Sequence, residues 1–160
     1  MNEVKLQTDV LKGLIACGEV VHAKLKGDIV ALGSAYCVGF LPENKVKVRL
    51  EGDGYTRLQK MIDDRDLTHY EIAKQMYTID HTMKNRKKIK VVKLQTESGR
   101  IAYVDQVYLK YFDKDARFFV IGPRQFVCVY ESDPVTDEDI LAGIIFPVIV
   151  NKEGCDHDQD

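Results

Sequence analysis

The order of elements in the last third of the chain, Arg100 to Val150, constrains its fold more than any other feature. It reads as a strand, an amphipathic helix and three further strands. It ends on the apolar run Ile140-Leu141-Ala142-Gly143-Ile144-Ile145-Phe146-Pro147-Val148-Ile149-Val150. Val104, Val107, Tyr108, Tyr111 and Phe112 recur at a spacing that places them on one side of a helix, with Lys110 and Lys114 nearer the other. Arg117 to Ile121 and Phe126 to Glu131 are rich in aromatic and β-branched residues and are separated by Gly122-Pro123, the pattern of paired strands.

The first third repeats this order in outline. Val4-Lys5-Leu6-Gln7-Thr8 is echoed by Val92-Lys93-Leu94-Gln95-Thr96. Thr8 or Asp9 can cap a helix with apolar positions Val10, Leu11, Leu14 and Ile15, and Gly18 ends it. Strand-like runs follow at Val20–Leu25, Asp28–Leu32 and Tyr36–Leu41. Lys45-Val46-Lys47-Val48-Arg49-Leu50 alternates strictly, which predicts a strand with one basic, wet face. Together these patterns predict an α+β fold of two β-α-β-β-β halves, residues 1–51 and 88–150, with sheets outside and two helices on one face. Between the halves, residues 52–87 read as an inserted helical hairpin. Leu58, Met61 and Ile62 form one stripe, and Ile72, Ala73, Met76 and Tyr77 another, with a capping box at Thr68-His69-Tyr70-Glu71 and a joint near Asp66. Residues 1–150 are thus expected to form one domain, and the acidic tail 151–160 to be disordered.

Charge narrows the function. The chain of 160 residues has a net charge of -2, so it is no polycation, and any nucleic-acid contact must come from a local patch or an assembled ring. The densest basic run is Lys84-Asn85-Arg86-Lys87-Lys88-Ile89-Lys90. No apolar run approaches the roughly 20 residues that span a bilayer, and the N-terminus lacks the pattern of a signal peptide. The expectation is a cytoplasmic protein without a membrane partner, its four cysteines reduced, with Cys17 and Cys128 serving as packing residues.

The segment 100–150 resembles the C-terminal domain of the bacterial DNA polymerase sliding clamp. Tyr103 matches the aromatic residue entering the helix, Val107-Tyr108-Leu109-Lys110-Tyr111-Phe112 the helix, and Phe118-Phe119-Val120-Ile121 with Phe126-Val127-Cys128-Val129-Tyr130 the two strands. Ile144-Ile145-Phe146-Pro147-Val148-Ile149-Val150 matches the ending, with Phe146 in place of the usual Met and Ile149 in place of the usual Arg. Val104 stands where the family carries an Asn cap, and Asp105 can take over that role one residue later. The resemblance implies a non-enzymatic DNA-replication accessory or processivity factor, a homo-oligomer whose partners are duplex DNA or replication proteins. It also implies that Lys12, Lys110 and Lys114, joined by Arg117, face DNA through sequence-independent phosphate contacts. One such domain per chain would need several copies to close a ring.

Two other readings stand beside it. Leu67 to Met76 followed by His81 to Lys88 is similar to a helix-turn-helix, in which Lys84, Arg86 and Lys87 would reach DNA, with Lys88 extending the basic patch. Tyr77 occupies the turn position that usually takes Gly. A small phage or plasmid interaction protein that targets a host factor is the third reading. No phosphate loop, dinucleotide fingerprint or nucleophile elbow is present, so neither an enzyme nor a cofactor is expected. The histidines, at positions 22, 69, 81 and 157, have no zinc-site spacing, and Cys155-Asp156-His157-Asp158 is set aside as a metal site.

Overall fold

In the computed structural model, which describes residues 1–12, 20–48, 56–65 and 67–150, Asn2 starts the first helix. Its side chain accepts the Lys5 backbone N–H at 3.0 Å, and Glu3 adds a negative charge to the first turn of α1, Glu3–Leu11. Leu6 and Val10, one turn apart, point inward and are buried. Complete burial of Leu6 contributes about 1.5–3 kcal/mol. The strand expected at 4–8 is therefore helix, and the helix begins before Thr8. Val4-Lys5-Leu6 alternates like a strand, but capping by Asn2 and the Leu6/Val10 pair decide otherwise. Leu14, Ile15, Cys17, Gly18, Arg49 and the Glu51–Gly54 break lie outside the described residues, as does the tail 151–160 with its Cys155–Asp158 cluster. Lys45 ends a short 3-10 turn, Glu43–Lys45, and Val46 to Val48 form no strand.

Among the described residues nine strands form one antiparallel sheet: β1 Val20–Leu25, β2 Ile29–Ser34, β3 Cys37–Pro42, β4 Glu71–Thr82, β5 Lys88–Thr96, β6 Ile101–Asp105, β7 Arg117–Val120, β8 Val127–Ser132 and β9 Asp139–Ile145. Their spatial order is β1-β2-β3-β9-β8-β7-β4-β5-β6. Three meanders, each consecutive in sequence, are thus joined by the β3–β9 and β7–β4 pairings. The protein is α+β with few helices. Besides α1, it has α2 at Thr56–Asp63 and a single turn, α3, at Gln106–Leu109.

Each face of the sheet carries a core cluster. On one face, α1 packs with Leu32, Leu41, Val92, Leu94, Ala102, Val104, Tyr111, Phe112, Val120 and Val127. On the other, Leu58 of α2 and Tyr70 cover Ala31, Val38, Phe40, Cys128 and Ile144. Gly39 of β3 and Gly143 of β9 are paired in register and open the first face to its helices. A Cβ on Gly39 would meet Leu6 at 2.5 Å, and one on Gly143 would meet the Phe112 ring at 2.8 Å. Beyond β9 the chain bonds alternately to two elements. Phe146 N–H donates to Tyr36 O at 2.8 Å and Val148 N–H to Tyr103 O of β6 at 2.7 Å, while Pro147 between them has no N–H to place. This strap ties the end of β9 to the outer strand β6, so the part of the sheet from β9 to β6 curls around the first cluster.

Two further expectations are corrected. Among the described residues, the helical hairpin expected at 56–83 is α-helix only over Thr56–Asp63, with a short 3-10 turn at Leu67–His69. The stretch Glu71–Thr82 is the longest strand of the sheet, so the helices of a helix-turn-helix are absent from 71–88. The second-half helix is also shorter. Val104 ends inside β6, Asp105 caps α3 by accepting the Val107 N–H at 3.0 Å, and Tyr111 and Phe112 follow in tighter i to i+3 turns. Val4–Thr8 in helix and Val92–Thr96 in strand are thus not structural repeats of each other.

Candidate nucleic-acid interface

Strands β4 and β5 pair from Ala73↔Thr96 to Thr82↔Lys88, with a bulge between Gln75 and Thr78. Neighbours support only the base of this hairpin. β7 pairs with β4 at Glu71 to Ala73, and β6 pairs with β5 from Gln95 back to Val91. Among the described residues, the part from Asp80 to Lys90 has no strand partner but itself. It projects from the sheet as an arm. Its outer residues are exposed, while Ile79, His81, Met83 and Ile89 are half-buried along the inner side.

The tip is a tight turn. Arg86 N–H donates to Met83 O at 2.8 Å, Met83 N–H to Lys87 O at 2.9 Å, and Lys87 N–H to the Asn85 side chain at 3.1 Å. Arg86 carries the left-handed backbone that closes such a loop, with φ 65°, at a position where Gly or Asn avoids the steric cost. A charged side chain held there spends about 1–2 kcal/mol of backbone strain.

Between Glu71 and Thr96 the chain has seven lysines and arginines and only two carboxylates, against a whole-protein charge of -2. Asp80 pairs with Lys90 at 3.5 Å, and Lys93 Nζ sits 5.2 Å above the Tyr77 ring. Among the described residues, Lys84, Arg86, Lys87 and Lys88 form no ion pair and are exposed at the tip. The structure therefore brings these four predicted residues together. It adds Lys90 from the arm and Lys74 and Lys93 from its base, which helical spacing does not single out. Phosphates can meet such a tip through mobile side chains without any base being read.

The other predicted cations lie elsewhere. Lys12 is the exposed C-cap of α1 and Lys114 is exposed in the loop after α3. Lys110 lies 3.3 Å from Asp9 and over the Tyr111 ring at 5.0 Å, and Arg117 is paired with Asp139, which pushes its pKa up further. Both of these cations are thus engaged by carboxylates of the fold. Lys45 of the expected basic strand face is likewise paired, with Glu3 at 2.8 Å.

A cavity of about 410 Å³ lies between the inner side of the arm and the strap. Tyr36, His81, Lys84, Lys87, Tyr108 and Phe146 are among its lining residues. Cys37 and Cys128 are buried free thiols, and burial pushes Cys128 up to about 11, far from a nucleophile's range. Among the described residues no group of three His, Cys, Asp or Glu side chains could hold a metal ion, and no helix is long and apolar enough to cross a membrane. No family model, curated protein or solved structure matches the chain.

Proposed function

We propose that this chain is a non-enzymatic accessory protein that binds nucleic acid without reading sequence, using the β4–β5 arm as its grip. The observation that carries this reading is the cluster of exposed cations at the tip, Lys84, Arg86, Lys87 and Lys88, which form no ion pair among the described residues. A projecting two-stranded ribbon fits a duplex groove and brings its cations to the flanking phosphates. Counterion release then supplies the affinity. The resemblance of residues 100–150 to a sliding-clamp domain supports a place in DNA replication. In that setting several copies encircle or line the duplex, and exposed Lys12 and Lys114 add phosphate contacts.

The test is duplex DNA titrated across a salt series, with solution mass measured in parallel. Each phosphate neutralised contributes about 0.9 to the slope of log affinity against log salt, so four tip cations predict a slope near -3.6. Replacing Lys84, Arg86, Lys87 and Lys88 together by Ala should flatten it. A slope that survives the replacement refutes the arm as the grip. A ring requires an oligomer, and a monomer that binds DNA removes the encircling form of the reading.

Docking of a replication protein is a second reading, favoured by the edge of β4. Past Ala73, among the described residues, β4 has a strand on one side only, and Met76 and Tyr77 are exposed there. A partner strand could add to this edge.

A further inference from the structure

We infer that the cavity between the arm and the strap is a seat for one unpaired nucleobase and its phosphate, so that the protein prefers single-stranded to duplex nucleic acid. The inference rests on the arm being a nucleic-acid grip and names the form of nucleic acid it takes. Size, lining and placement support it.

At about 410 Å³ the cavity falls within the range of small-ligand sites, about 300–1,000 Å³. It is far too narrow for a duplex. Its lining joins two chemistries that a nucleotide needs together. Tyr36 is 44% exposed and lines the cavity, with Phe146 half-buried in the same lining. Aromatic faces bind bases by stacking, which every base allows and which adds no sequence preference. Lys84 and Lys87, two of the tip cations, line the same cavity and supply the phosphate partners. Asp105 is the carboxylate of the lining, and its Oδ1 accepts the Val107 N–H at 3.0 Å. Capping α3 holds that charge in place, and its other oxygen is an acceptor for a base N–H, such as the N3–H of thymine.

Placement explains the strand preference. Lys84 and Lys87 belong to both the tip and the cavity, so a backbone held by the arm passes the cavity mouth. In a duplex each base has both faces covered by its neighbours, and only an unpaired base can turn a face to Tyr36. The floor is firm, because the strap is fixed on both sides by the Phe146–Tyr36 and Val148–Tyr103 main-chain bonds.

The experiment compares fluorescence anisotropy of a labelled oligo-dT of about 12 nucleotides, a length within single-strand site sizes, with that of a duplex of equal length. The wild type is expected to bind the oligo-dT more tightly. Tyr36→Ala should weaken oligo-dT binding by about tenfold, Tyr36→Phe should restore it, and neither should move duplex affinity. Thermal melting of both variants shows that the fold is intact. Unchanged oligo-dT affinity in Tyr36→Ala, or a Tyr36→Phe variant as weak as Tyr36→Ala, overturns the base seat. Should the Lys84/Arg86/Lys87/Lys88→Ala variant lose both DNAs while Tyr36→Ala loses neither, the arm stands and the seat falls. A wild type that binds neither DNA overturns both, and capture of a peptide by the cavity in its place does so as well.

Discussion

The Tyr111 hydroxyl donates to Asp9 Oδ2 at 2.7 Å, joining the first helix to the turn that follows the last one. The tyrosine is almost fully buried and the aspartate nearly so. Around them the Asn2 N–H donates to Tyr111 O at 2.8 Å, and Lys110 approaches the same Asp9 oxygen at 3.3 Å. Burying a carboxylate is costly unless it is paired and hydrogen-bonded, and here both conditions hold. Tyr111→Phe removes the donor and keeps the ring. It should cost about 1–3 kcal/mol, read as a lower urea midpoint with an unchanged slope.

The same pair sets an acid limit. Burial pushes Asp9 up, but hydrogen bonds from Tyr111 and Lys110 and the charges of Lys110 and Lys5 outweigh it, so the carboxyl sits below its ordinary 3.8. A depressed folded pKa means stability that is fully present above 3.8 and lost as pH falls through the lower folded value. Urea midpoints of the wild type should therefore drop through that acid window, and Asp9→Asn should show a shallower drop from a lower plateau. An equally steep acid limb in Asp9→Asn would assign the loss to other carboxylates, such as Asp133 and Glu71, whose pKa values are also lowered.

Arg86 separates stability from binding. Its positive φ favours glycine, so Arg86→Gly should raise stability by about 1 kcal/mol, visible in thermal melting. The same change deletes one cation from the tip and should reduce the salt slope of duplex binding by about 0.9. A variant that is more stable and yet a weaker binder is the expected outcome. Lys87→Ala, at a position without positive φ, should reduce the slope alike and leave melting unchanged.

The paired glycines set a packing limit. Gly143→Ala would place its Cβ 2.4 Å from the Val38 carbonyl oxygen as well as against Phe112. Backbone cannot step aside as a flexible side chain can, so a loss of about 1–3 kcal/mol or more is expected in the urea midpoint. Gly39→Ala meets the flexible ends of Leu6 and Met1 and should cost less.

The third meander was legible in the sequence because its strands are buried on alternating faces. Phe118 and Val120 point into one cluster and Cys128 into the other, and Gly122-Pro123 marks the turn between β7 and β8. The arm was misread for the opposite reason. From Lys74 to Thr78 the strand is exposed on both faces, so no burial enforces alternation there, and Ile72, Ala73, Met76 and Tyr77 fall by chance at helical spacing. The available signal was Ile79, His81 and Met83, which alternate, followed by Lys84-Asn85-Arg86 at a turn. The basic residues themselves were readable, but their union at one tip depended on strand pairing. Tyr36 gave no signal at all, since its role at the cavity depends on a strap more than a hundred positions away.

The facing glycines also leave a trace that a search could use. Leu6, Gly39, Phe112 and Gly143 interlock although they lie in four separate stretches of chain, so none can drift without the others. Distant kin that have lost every recognisable stretch should still keep a small residue in the third strand matched to another in the ninth, with an aromatic just after the short last helix. That covarying quartet is a fingerprint for recognising such kin when overall similarity has faded.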